Sequence, residues 1–309
     1  MAGILVSGAT GLVGRYVLKA VLEQTDEALV ALTRRPLPAP FDTHPRIRVY
    51  QADLGEADRL APALREARPA VVIHPGAIAD VDACERDHAL ARAANVEGAA
   101  NLARACVAVG AHLIHVSTDY VFDGSPANPG PYDETAPTHP VNYYGETKLE
   151  AERQVSAICA GRVGLAICRT ALVYGVNPAG RTNFIVGMVN DLRAGRPIRA
   201  VIDQQNTPTA AANLAEMLVA AALRRAEGLF HTAGGELLTR YALALAVADH
   251  FGLDRDLITP LRSAELGQLA RRPLLSGLKV DKAERELGAR AWNIQQGLTW
   301  LQEQMEPGA

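Results

Sequence analysis

The chain has no surplus of positive charge. Its 309 residues carry 31 Lys+Arg against 34 Asp+Glu, a net charge of −3, so it offers no basic footprint for nucleic acid. No apolar run approaches the ~20 residues of a membrane-spanning helix. The opening Met-Ala-Gly-Ile-Leu-Val-Ser-Gly has neither a basic segment nor a long apolar core, so no signal peptide is expected. Cysteine is sparse. Cys84, Cys106, Cys159 and Cys168 lie far apart without a C-x-x-C pair, which argues against a disulfide frame or thiolate metal site. They read as reduced thiols of a cytoplasmic protein. No H-x-x-x-H pair occurs among the eight histidines, and no metal is expected. Lysine is scarcest of the charged residues, with only Lys19, Lys148, Lys279 and Lys282. What is abundant is hydrophobic sequence, 49 %, enough for one large domain or a domain with a smaller lobe.

The first pattern is strand, glycine turn, helix. Ile4-Leu5-Val6-Ser7 runs into Gly8-Ala9-Thr10-Gly11-Leu12-Val13-Gly14, and a helical stretch follows to about Leu22. Glycines let a backbone approach a pyrophosphate, and a helix N-terminus presents free N–H groups to it. The spacing is G-x-x-G-x-x-G rather than G-x-G-x-x-G, and a plain tight turn would look similar. A second strand, Ala28–Leu32, ends in Thr33-Arg34-Arg35. An NAD site usually places an acidic residue here for the ribose 2′-hydroxyl. Arg34 and Arg35 instead suit a 2′-phosphate, so NADP(H) is favoured and NAD(H) remains possible. A third strand ends at Asp53-Leu54, where Asp53 either faces adenine or caps the next helix. A fourth, Ala70–His74, leads to Pro75-Gly76-Ala77, a bend of small residues at a strand end where ligands lie.

The scarce lysine matters at 148. Tyr144-Gly145-Glu146-Thr147-Lys148 sets a phenol and an ammonium four residues apart, on one face of a predicted helix. A phenol titrates near pH 10, and a nearby cation lowers that value. The pair is therefore a candidate acid–base unit. Taken alone, Y-x-x-x-K also occurs on ordinary surface helices. Ser117-Thr118, at the end of the predicted strand Ala111–Val116, would bring hydroxyls to the same place. Tyr143 lies off the shared face and reads as packing.

The rest of the chain implies a doubly wound parallel sheet of Rossmann type, with a smaller, mostly helical C-terminal lobe. A long helix over about 87–110 is predicted to break near Asn95, and the helix bearing Tyr144 runs to about Ala160. The dinucleotide-binding domain is expected over 1–174, with 205–250 returning to it. Residues 175–204 and 251–309 would form the substrate lobe.

These motifs identify a resemblance to the extended short-chain dehydrogenase/reductase superfamily. It rests on G-A-T-G-L-V-G at 8–14, Y-G-E-T-K at 144–148 and R-T-A-L-V-Y-G at 169–175. Within it the chain resembles the dTDP-4-dehydrorhamnose reductase family. That match rests on V-D-A-C-E at 81–85, S-T-D-Y-V-F-D-G at 117–124, T-N-F at 182–184, D-Q-Q-N-T-P-T at 203–209 and R-R-P-L-L-S-G-L at 271–278. The resemblance implies NADPH-dependent reduction of the C4 keto group of a nucleotide-linked 6-deoxysugar. Thr118, Tyr144 and Lys148 would be the catalytic trio, with Lys148 lowering the Tyr144 pKa. Tyr120, Asn183 and Gln204 would meet the substrate, and a homodimer is implied. One departure is His74-Pro75-Gly76-Ala77, where Pro75 removes a backbone donor beside the cofactor. A regulatory subunit of methionine adenosyltransferase resembles the same subgroup, so an NADP-binding protein without turnover is the alternative. Epimerases and dehydratases often carry an acidic pair after the catalytic hydroxyl; here Asp119 is followed by Tyr120.

Overall fold

A computed structural model describes residues 3–177 and 182–306. Seven strands form one parallel sheet. In chain order they are β1 (Ile4–Ser7), β2 (Leu29–Thr33), β3 (Ile47–Gln51), β4 (Val71–His74), β5 (His112–Thr118), β6 (Leu165–Thr170) and an edge strand, Gly228–His231. In space the edge strand is followed by β6, β5, β4, β1, β2 and β3, all parallel. Every residue of β1, β4 and β5 is buried, as continuous aliphatic runs require when helices cover both faces. β3 closes the other edge and is half exposed.

Helices cover the two faces separately. On one side α1 (Leu12–Gln24) packs with the helix Ala211–Arg224 around Val17, Val21, Leu214 and Leu218. On the other, α2 (Ala57–Ala67), α5 (Gly98–Val109) and α6 (Tyr143–Cys159) close over Leu60, Leu64, Leu102 and Val155. The predicted break near Asn95 is a π-helical turn, Ala93–Glu97, between the short α4 (His88–Arg92) and α5. α3 (Val81–Arg86) precedes them. Asn95 uses the turn to bridge two elements. Its Oδ1 accepts from Ile78 N at 2.8 Å and its Nδ2 donates to Thr147 Oγ1 at 3.1 Å, in α6.

Three expectations need correction. Asp53 does not cap α2: the cap position is Glu56, and Asp53 Oδ1 instead accepts from Gly55 N at 2.8 Å. Residues 211–231 return to the sheet, but the helix Arg240–Phe251 does not. Its Leu243, Ala244 and Val247 pack with Ile185, Val189, Ile258 and Leu298 in a separate core. Conversely, Asp281–Leu287 leaves the lobe, because Ala283 and Leu287 fill the α1 side of the sheet. The lobe has small sheets of its own. Ile198–Val201 pairs with Ile258–Leu261, and Gln205–Asn206 pairs with Leu238–Thr239. Residues 270–278 cross between the two parts as a strap. Leu275 N donates to Gly124 O at 2.8 Å and Ser276 N to Gln205 O at 3.0 Å.

Candidate active site

The chain reverses its direction of sheet building between β1 and β4, which are spatial neighbours. Their carboxyl ends therefore diverge into a crevice, the usual ligand position in open α/β sheets. A cleft of about 930 Å³ opens there. Its first end is lined by Gly8, Thr10 and residues 11–14, with Arg34, Arg35, Asp53, Leu54, Gly76 and Ala77 beside them. Gly8 holds φ +59°, and a Cβ there would lie 2.8 Å from Gly76 Cα. A Cβ on Gly14 would meet Gly8 O at 2.3 Å. Two backbone segments thus meet at van der Waals distance only because both positions are glycine. Gly11 caps α1 without a side chain, and no acidic residue occupies its first turn. The turn's N–H groups and dipole are left for an anion, which fits a dinucleotide pyrophosphate. Arg34 reaches Asp53 at 3.4 Å, but both side chains are largely exposed. Such a pair holds loosely and leaves the guanidinium able to take a phosphate.

The second end holds the reacting groups. β5 carries Ser117 and Thr118 into the cleft by continuing its pairing with β6 through Thr118↔Thr170. Asn142 caps α6 by accepting from Gly145 N at 2.8 Å, which starts the helix so that Tyr144 and Lys148 face β5. Gly145 permits the approach: a Cβ there would sit 2.2 Å from Tyr120 O. Tyr143 stacks on His88, ring centroids 3.6 Å apart, as its packing assignment predicts. Lys148 is 3 % exposed, and its Nζ donates to Val116 O at 2.7 Å.

The electrostatics differ from the expectation that Lys148 depresses the Tyr144 pKa. Burial raises the Tyr144 phenol, and the Thr118 hydroxyl beside it pulls the other way. Tyr144 is therefore a protonated donor at neutral pH. The Lys148 charge acts instead on two buried histidines. His74 is pushed down to about 3 by burial and then by Lys148, and His115 is lowered by the same causes. Lys148 itself falls to about 8 through burial, against an upward pull from Glu152. The expectation failed because the ammonium is turned toward β5 and not toward the phenol alone.

Thr118 sits in a chain of bonds. Its Oγ1 donates to Asp119 Oδ1 at 3.2 Å and accepts from Tyr120 N at 3.2 Å. Asp119 Oδ2 accepts from Ser276 Oγ of the strap at 2.5 Å. Burial raises the Asp119 pKa, against the Ser276 and Thr118 hydrogen bonds. Tyr120 lines the cleft and meets Tyr144 edge-on at 5.6 Å. Asn183 and Gln204 do not line it. The Asn183 amide caps the helix Phe184–Arg193 and bonds Gly175 O. Gln204 is 5 % exposed and stands opposite Arg240 in the strand pairing. Sequence reasoning missed Asn206 and Arg240, which do line it. Asn206 lies inside the D-Q-Q-N-T-P-T motif at 203–209 but was not singled out from it, and Arg240 follows the N-cap Thr239 with no motif around it.

A parallel sheet with a glycine turn at its switch point and a Thr/Tyr/Lys set at the neighbouring strand end defines a short-chain-dehydrogenase-like protein. Residues 1–306 match the family described as the RmlD substrate binding domain, and the chain belongs to that family. A dTDP-4-dehydrorhamnose reductase of Mycobacterium tuberculosis is 40 % identical over 212 residues, covering 67 % of this chain and 68 % of that protein. The methionine adenosyltransferase 2 subunit beta of Pongo abelii is 32 % identical over 289 residues, 91 % of this chain and 81 % of that one. A dTDP-4-dehydrorhamnose reductase from Bacillus anthracis, solved in complex with NADP, superposes with a TM-score of 0.82 at 25 % identity. The match covers 97 % of this chain and 99 % of that one.

Proposed function

We propose that the protein is an NADPH-dependent reductase of the C4 keto group of a nucleotide-linked 6-deoxysugar, converting dTDP-4-dehydrorhamnose to dTDP-L-rhamnose. The observation that carries the reading is the convergence of Thr118, Tyr144 and Lys148 beside the glycine turn in one cleft. The reductases of M. tuberculosis and B. anthracis support it. Gly8, Thr10 and residues 11–14 would hold the cofactor pyrophosphate, Arg34 and Arg35 the 2′-phosphate, and Gly76, Ala77, Asp53 and Leu54 the adenosine side. When bound, the nicotinamide supplies a hydride. The chain's own groups do the rest. Tyr144, neutral through burial, gives its proton to the carbonyl oxygen as negative charge develops there. Thr118 positions that oxygen once its proton turns from Asp119, and the Lys148 ammonium adds positive charge close by. Tyr120 borders the sugar; Asn183 and Gln204 support the wall.

The lobe, 182–206 with 238–261 and the terminal helix, is assigned the choice of substrate. The protein is assigned to the cytoplasm as a homodimer; among the described residues no helix is long and apolar enough to cross a membrane. The deciding experiment is Tyr144→Phe with dTDP-4-dehydrorhamnose and NADPH. Loss of the proton donor should lower kcat by roughly 10²- to 10⁴-fold with NADPH affinity retained. Undiminished turnover would sink the mechanism.

A second reading is favoured by the 91 % coverage shared with the adenosyltransferase beta subunit. A protein of that kind would co-purify with a larger catalytic partner and reduce no keto-sugar.

A further inference from the structure

Among the described residues Arg240 has no anionic partner. It lines the cleft, its Nη1 is buried with no hydrogen bond, and no ion pair within 4.0 Å involves it among the described residues. Burial lowers its pKa, and Tyr120 and Asp119 pull it back up. Phe184 flanks the guanidinium at 4.8 Å from its ring centroid. The one carboxylate that bears on it, Asp119, has Oδ1 taken by Thr118 and Oδ2 by Ser276. Arg240 is half-buried, and holding an unpaired guanidinium partly away from water carries a cost that an anion brought by a ligand would offset.

Polar groups beside it are also unpartnered. The strand Gln205–Asn206 runs antiparallel to Leu238–Thr239, and Arg240 N bonds Gln204 O at 3.0 Å. In that register Gln204 stands opposite Arg240 and Asn206 opposite Leu238, one diagonal step away, and Asn206 and Arg240 both line the cleft. Asn206 is 4 % exposed with Oδ1 unbonded, and Gln204 Nε2 is also unbonded. On the wall of a cleft, such open polar groups are available to a ligand.

The location says whose anion it is. The cofactor's phosphates have the α1 N-terminus, Arg34 and Arg35, all at the first end of the cleft. Arg240 stands past Thr118 and Tyr144, with Asp119 and Tyr120, at the end left to the substrate. We infer that Arg240, with Asn206 beside it, forms a subsite for a phosphate oxyanion of the substrate, so that the enzyme recognises a diphosphate-linked sugar by its linkage. This rests on the reductase reading for the substrate class, and it makes Arg240 a binding residue distinct from the trio.

The test is calorimetric titration of the protein–NADPH complex with thymidine diphosphate, with thymidine as the phosphate-free control. Arg240→Gln should weaken the diphosphate roughly 10- to 100-fold, the loss expected of a charge-assisted bond, and leave thymidine and NADPH unchanged. Arg240→Lys, which keeps the charge and loses the planar fork, should fall between. If Arg240→Gln does not fold, Asn206→Asp serves, since a carboxylate on the same wall should weaken the diphosphate at least about tenfold. A change of less than twofold, or an equal loss for thymidine, overturns the subsite. If no keto-sugar is reduced yet Arg240→Gln still weakens the diphosphate, the subsite stands and the reductase reading falls. If turnover is found and neither KM nor diphosphate affinity moves, the reverse holds.

Discussion

Lys148 shows how far a single side chain sits from its relaxed state. Its ammonium is enclosed, has one carbonyl acceptor, and titrates at about 8 against an ordinary 10.5. Between those values the unfolded chain binds a proton that the native protein does not, so stability rises as pH climbs through that window. Below about 8 the penalty is present in full. Lys148→Met should therefore remove the alkaline rise. At pH 7 its urea midpoint should equal or exceed the parent's, while turnover drops by at least about 100-fold. A clear loss of stability at pH 7 would contradict the electrostatic account. Tyr144, Lys148 and Thr118, which the fold brings to one cleft, stood out in the sequence because their chemistry is local in spacing or abrupt in composition. Arg240 and Asn206 were not, because nothing in the sequence says which of many arginines is left unpaired. The direction of the Tyr144 shift was also hidden, since burial dominates it and burial is a property of the packed state.

At the level of elements, α6 is the part on which the site depends. It is anchored at its start by Asn142, whose Nδ2 also donates to Arg271 O at 2.8 Å. Farther along, Glu152 takes a two-point bond from Arg169 on β6, with N···O distances of 2.9 and 2.7 Å, both residues buried. The helix is thus tied to the sheet on one side and the strap on the other. Gly145 sets how close it comes. Gly145→Ala would push a methyl group into Tyr120 O, costing roughly 1–3 kcal/mol of overpacking. Because the same shift carries Tyr144, kcat should fall up to about 100-fold, more than the modest change in urea midpoint would suggest. Unchanged kcat with full stability would show that the contact relaxes freely. The helix and its sheet were readable from periodicity and aliphatic runs. The close approach at Gly145 was not, since a glycine beside a tyrosine looks like any other until the facing carbonyl is known. Helix Arg240–Phe251 shows the same limit: it is apolar on nearly every side, so its sequence does not say which core it fills.

Across the whole molecule, the strap joins what the two cores separate. Asp82, in α3, accepts from Arg272 Nη1 at 2.9 Å and from Ala270 N at 3.1 Å. This holds residues 270–278 against the dinucleotide half, where Ser276 reaches Asp119. Asp82→Asn should raise KM for the keto-sugar about 3- to 10-fold, the worth of a weakened charge-assisted bond, and leave NADPH affinity alone. A parallel loss of NADPH affinity would mean that the strap supports the cofactor end too. The parallel sheet with its glycine turn after the first strand was legible because each βα unit is nearly self-contained. The division into lobes was drawn too simply, since Asp281–Leu287 and Arg240–Phe251 each belong to the core their apolar residues fill rather than to their neighbours in sequence.

The packing of α1 against Ala211–Arg224 sets a condition on biosynthesis. At 5–20 residues per second, roughly 10–40 s separate the emergence of these two helices from a ribosome. Throughout that interval Val17, Leu18 and Val21 have the sheet on one side but lack the cover of Leu214 and Leu218 on the other. A nascent chain of this protein therefore presents an unfinished sheet face, and chaperone occupancy should fall once residue 224 clears the exit tunnel and end only after Leu287 completes that side.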